Sequence, residues 1–140
     1  MENLKVKITV KVTVNATIEK VWKVWTTPAE IIHWNAASIE WHTTKAENDL
    51  KVGGKFSYRM EAMDGSFGFD FGGIYDTIKT NQLIAYTMDD GRTSIITFEQ
   101  KDNETNIIQT FEAETENTIE LQQFGWQQIM NNFRKYTESK

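Results

Sequence analysis

The 140-residue sequence contains no cysteine, a single proline and only two histidines. Without cysteine there is no disulfide, no thiolate nucleophile and no thiolate metal site, which fits a reducing compartment. His33 and His42 fall in no HExxH spacing, so a metal would have to be held by carboxylates alone, and neither metal nor cofactor is expected. No serine sits in a GxSxG elbow, which argues against a Ser-His-Asp triad. A basic excess is also missing: 15 Lys and Arg face 20 Asp and Glu, a net charge of −5. Phosphate-binding surfaces usually show as basic patches, so nucleic acid and anionic membrane are not expected as partners. No apolar run approaches the ~18 residues of a membrane span. The opening "MENLKVKITV" lacks the regions of a signal peptide, and the expectation is a soluble cytoplasmic protein. The length fits one domain, and with no repeats or linkers the expected unit is 1–140.

What is present is mostly pattern. Leu4, Val6, Ile8, Val10, Val12 and Val14 alternate with Lys5, Lys7, Thr9, Lys11 and Thr13, a strand with one buried face. At Ile18, Val21, Trp22 and Trp25 the period changes to that of a short helix. "TPAE" at Thr27–Glu30 is a capping box with Pro28 at the first helical position. A second short helix therefore runs to near Asn35 and makes a V with the first. From Ser38 to Ala113 the spacing is that of antiparallel strands: one at Ile39–Thr44, then tight turns at "MDGS", "DDGR" and "KDNE". These predict about seven strands in all. From Thr118 to Thr137 the helical period returns, with Ile119, Gln122, Trp126, Ile129, Met130, Phe133 and Thr137 on one face. An antiparallel sheet of this size exposes a wide apolar face unless the last helix lies across it. The fold class is α+β, a curved sheet gripping a long C-terminal helix, with room for a space between them.

The stretch "MEAMDGSFGFDFGGIYD" (Met60–Asp76) is rich in glycine, yet it is not a phosphate loop. Such a loop joins a strand to a helix N-terminus, whereas these glycines lie inside a strand and no Gly-Lys-Ser/Thr follows. Glycine within a strand marks a bulge, a bend or a close approach. Gly68, Gly72 and Gly73 suit a strand bending around a helix, and they also remove side chains from the interior.

The runs "ATIEKVWKVWTTPAEIIHWN", "DLKVGGKFSYRMEAMDGSFGFDFGGIYDTI", "LIAYTMDDGR" and "GWQQIMNNFRKY" resemble the homologues of the activator of the heat-shock-protein-90 ATPase. That family belongs to the START-like, or SRPBCC, superfamily with the helix-grip fold. Within it the chain is similar to the branch grouped with the calicheamicin self-resistance protein. The resemblance spans about Val12 to Tyr136 and implies a hydrophobic cavity between sheet and long helix. It does not imply one function, because members include ligand binders, cyclases and co-chaperone domains.

The aromatic residues supply the site candidates. Phe56, Tyr58, Met60 and Ala62 share one strand face, opposite Ser57, Arg59 and Glu61. In the next strand Phe67, Phe69, Phe71 and Tyr75 share a face, with Asp70 opposite; a glycine bulge can reverse which of these is concave. The expected cavity residues are Trp22, Trp41, Phe56, Tyr58, Met60, Phe69, Phe71, Tyr75, Gln109, Gln122, Trp126 and Met130. Asp70 is a polar contact if it points inward, where desolvation would raise its pKa. The leading expectation is a binding protein for a small hydrophobic or aromatic ligand. A cyclase- or hydrolase-type enzyme would need Asp70, Glu61 or Arg59 in the pocket. A co-chaperone would need an apolar surface, for which Leu121 and Phe124 are the exposed-looking pair; two residues suffice only for a weak homodimer or a lid. The acidic groups Asp89, Asp90, Glu112, Glu114 and Glu116 are read as solvated.

Overall fold

A computed structural model describes residues 6–140. Leu4 and Lys5, assigned above to the first strand, lie outside the described residues. The order is β1 (Lys7–Val14), α1 (Ile18–Thr26), α2 (Pro28–Trp34), β2 (Trp41–Asn48), β3 (Lys55–Ala62), β4 (Gly68–Lys79), β5 (Leu83–Met88), β6 (Thr93–Lys101), β7 (Glu104–Glu112) and α3 (Ile119–Glu138). Every strand pairs antiparallel in one seven-stranded sheet, β1-β7-β6-β5-β4-β3-β2. Six strands meander, while the α1–α2 pair carries the chain from one sheet edge to the other. This is the α+β helix-grip architecture.

The alternation in β1 survives as Ile8, Val10 and Val14 buried against α3. As an edge strand β1 leaves backbone groups unpaired toward the outside. Gln127 of α3 covers them: its Nε2 donates to Lys11 O at 2.9 Å and its Oε1 accepts from Lys11 N–H at 3.2 Å. Helix α3 is capped by Thr118 Oγ1, which accepts from Leu121 N–H at 3.1 Å. Thr17 caps α1 in the same way. At the far end of the sheet, α1, α2 and α3 meet in an aromatic cluster. Phe133 lies edge-on to Trp25 at 4.8 Å and to Trp34 at 4.9 Å, and Phe98 closes against Trp22 and Trp25.

Four local expectations are corrected. The capping box does not form: the Thr27 hydroxyl donates back to Lys23 O at 2.6 Å, and Glu30 turns to Tyr136 and to Lys140 Nζ. The second strand begins at Trp41, not Ile39, which is 95% exposed. Its length follows from pairing with all of β3 across a bulge between Thr43 and Lys45, which no periodicity announces. Ile119, the first residue of α3, is exposed. Glu112 is buried rather than solvated, accepting from Thr93 N–H at 2.8 Å and Thr93 Oγ1 at 3.0 Å.

The strand glycines serve close approach. A Cβ on Gly72 would sit 2.6 Å from Phe56 O, and one on Gly73 would sit 2.4 Å from Thr87 O and 3.1 Å from the Phe56 ring. The room beside Gly73 is therefore occupied by Phe56. Because the obstructing atom is backbone, Gly73→Ala is expected to lower stability by about 1–3 kcal/mol, seen as a lower urea midpoint. An unchanged midpoint would show that β4 and β5 are not held this closely.

Candidate ligand-binding site

The strand period of two sends Phe56, Tyr58 and Met60 of β3 to the concave face. The register sets Met60 beside Phe69, Tyr58 beside Phe71 and Phe56 beside Gly73. Opposite them, α3 presents Leu121, Gln122, Gly125, Trp126, Ile129 and Met130, a stripe repeating every four residues. Between the two walls is a cavity of about 350 Å³, bordered by all of these residues except Gly73. Tyr75, Ile84, Tyr86, Ile96 and Gln109 complete the sheet side, Trp25, Trp34 and Asn35 close one end, and Arg92, Glu114 and Asn117 stand at the other. The volume is within the range of small-molecule sites, about 300–1,000 Å³.

Aromatic rings brace the space from wall to wall. Trp126 stacks on Phe111 at 3.8 Å and meets Phe71 edge-on at 5.8 Å. Phe56 contacts Tyr58, Phe71, Tyr75 and Tyr86 within 6 Å between ring centres. The polar atoms among them are neutral. Tyr75 donates to Asn48 Oδ1 at 2.5 Å, and Gln109 Nε2 donates to the Tyr86 hydroxyl at 3.2 Å and to Ser94 Oγ at 3.0 Å. Burial pushes the Tyr58 and Tyr75 phenols well above their ordinary value and Tyr86 up to about 12.

These shifts make a pH prediction. The folded state holds the phenol protons more tightly than the unfolded chain, whose tyrosines ionise near ~10. The resulting stabilisation is complete below about pH 10 and is lost as pH rises through the folded values. Phenolate absorbance is expected to stay low past pH 10 and to rise together with loss of near-ultraviolet circular dichroism. Ionisation of three tyrosines with the dichroism intact would contradict the burial.

The charges at the open end are spent locally. Arg92 donates through Nε to Asp90 Oδ2 at 2.8 Å and through Nη1 to Glu112 O at 3.2 Å. Glu114 accepts from the Asn117 and Glu116 amides and from Asn117 Nδ2, which hold its carboxyl below the usual range. Gln122 borders the cavity with its amide fully engaged: Oε1 accepts from Glu114 N–H, and Nε2 donates to Glu114 O and Asn117 O. It staples the segment leading into α3.

Residues 15–138 match the family described as Activator of Hsp90 ATPase homolog 1-like protein. The chain belongs to this family. The AHSA1-like protein from Aeromonas hydrophila, solved in solution, is 42% identical, with a TM-score of 0.90 over 96% of this chain and 93% of that one. A solution structure from Cytophaga hutchinsonii is 56% identical, with a TM-score of 0.82 over 95% of this chain and 92% of that one. A crystal structure from Chromobacterium violaceum shares the fold at 22% identity and a TM-score of 0.85, over 95% and 98% of the two chains. No curated protein matches the chain. These likenesses establish the Activator of Hsp90 ATPase homolog 1-like family without separating its branches. Similarity to the calicheamicin self-resistance branch stays an expectation from the sequence.

In this family member Phe56, Tyr58, Met60, Phe69, Phe71, Tyr75, Gln109, Gln122, Trp126 and Met130 come together around the cavity. Trp22 and Trp41 do not. Trp22 packs on Phe98 in the helix cluster, and Trp41 lies against Phe67 and Phe69 outside the space. Asp70 is on the convex face, its carboxylate 3.6 Å from Arg59 Nη1, while Arg59 Nε bonds Glu61 at 3.0 Å. None of these three borders the cavity, so the groups a cyclase or hydrolase reading needs are on the wrong side of the sheet. The sequence reading missed Gly125, whose Cβ position meets nothing within 4 Å. The Leu121–Gly125–Ile129 spacing was the signal for it.

Proposed function

We propose that this protein binds a small, mostly apolar molecule, aromatic in part, in the cavity between α3 and strands β3 and β4. The observation that carries the reading is the lining itself: aromatic and aliphatic walls, with only uncharged polar atoms away from the rim. Burying on the order of 300 Å² of apolar ligand surface is worth about 7 kcal/mol before ordering costs, enough for useful affinity without charge. No cofactor enters this reading. It treats residues 1–140 as one ligand-binding domain working in the cytoplasm, and the absence of a helix able to cross a membrane among the described residues is compatible with that.

Native mass spectrometry after mild purification, followed by titration with the neutral probe N-phenyl-1-naphthylamine, tests it. Uptake of about one equivalent with quenching of Trp126 is expected, using Trp126→Phe to assign the signal. A protein with no bound species and no probe uptake would end the reading.

A second reading, contact with a chaperone, has the family's description and one surface feature behind it. Leu121 and Phe124 on α3 are 57% and 62% exposed. Two side chains make a small apolar patch. Stimulation of ATP turnover in a purified bacterial Hsp90 homologue, abolished by Phe124→Asp, would put this reading first.

A further inference from the structure

Among the polar groups that face the cavity, Gln109 has unused hydrogen-bonding capacity in the middle of the sheet wall. Gln109 is only 6% exposed, yet it borders the space. Both hydrogens of its amide are committed, to Tyr86 and to Ser94. These two bonds fix the amide plane, so the orientation of Oε1 is fixed as well. Among the described residues Oε1 accepts no hydrogen bond, and it is not sealed in the core as Thr137 Oγ1 is. Buried polar groups are ordinarily paired, and an amide oxygen accepts two bonds. At the rim, Arg92 is held by Asp90 and by Glu112 O, and Glu114 by the Asn117 and Glu116 amides. The three phenols bordering the space are neutral below about pH 10.

We infer that the pocket selects uncharged aromatic molecules carrying a hydrogen-bond donor, a hydroxyl or an amide N–H, which Gln109 Oε1 accepts. This rests on the cavity reading above and narrows it to a ligand class. The donor pairs an oxygen that accepts no hydrogen bond from the described residues, and a ligand that covers it without a donor leaves it unpaired. A carboxylate is disfavoured, because its lone pairs would face those of Oε1.

Four probes of one shape test the inference by calorimetric titration at pH 7: naphthalene, 2-naphthol, 2-methoxynaphthalene and 2-naphthoate. The expected order places 2-naphthol about tenfold tighter than naphthalene and 2-methoxynaphthalene, with 2-naphthoate weakest. In Gln109→Met the advantage of 2-naphthol over naphthalene and over 2-methoxynaphthalene disappears. The wild-type series is decisive even if that variant folds poorly. Equal binding of 2-naphthol and 2-methoxynaphthalene, or tighter binding of 2-naphthoate, overturns the inference and leaves the cavity reading standing. Binding of none of the four overturns both.

Discussion

Phe133→Ala is expected to lower the unfolding free energy by about 3–5 kcal/mol, as large truncations in a sealed core do. The ring is fully buried, and Trp25 of α1 and Trp34 of α2 both rest edge-on against it. Its removal opens a void at the point where all three helices meet, and indole rings cannot collapse into it without leaving their own contacts. Against a total stability of roughly 5–15 kcal/mol such a loss is a large fraction. Urea unfolding followed by tryptophan fluorescence measures it. A loss below about 1 kcal/mol would mean that the helix pair is held to α3 elsewhere.

Gly125→Leu is expected to reduce uptake of N-phenyl-1-naphthylamine by at least about 100-fold while leaving the fold intact. Glycine inside a helix costs about 1 kcal/mol relative to alanine. The usual structural reasons for accepting that cost are absent here: φ is not positive, and no neighbour approaches the Cβ position. The position is instead the middle of the α3 stripe that faces the cavity. A leucine there projects into the space from the helix wall, and Gly125→Ala raises stability by about 0.5–1 kcal/mol while shortening the room by one methyl group. A folded Gly125→Leu protein that binds the probe as well as the wild type would show that the probe sits somewhere else.

The strand order was legible because turn chemistry is local. Gly65 and Gly91 take the positive φ their turns require, and Asp102 does so at "KDNE". The long helix was legible because its stripe lies within one continuous segment. What failed depended on distant partners. Glu30 fits a capping box in sequence, but α3 brings Tyr136 and Lys140 to its carboxylate. Trp22 and Trp25 lie on the same helix stripe, yet only Trp25 reaches the cavity. The side of β4 occupied by Asp70 became readable only with the register to β3. Gly72 and Gly73 were read as bends that open room, whereas they serve close backbone approach; the space beside Gly73 is filled by Phe56, and a glycine on the opposite wall leaves the room.

The central claim is that the space between α3 and the β3–β4 wall takes up a small apolar molecule. The most direct measurement is a nuclear magnetic resonance titration of the isotope-labelled protein with 2-naphthol. The account predicts saturable shifts at one equivalent in the Gly125 amide, the Trp126 indole and the Gln109 side-chain amide, with Trp41 and Phe124 unmoved. No saturable shift, or shifts confined to Trp41, Phe67 and Phe124 on the outside, would contradict it.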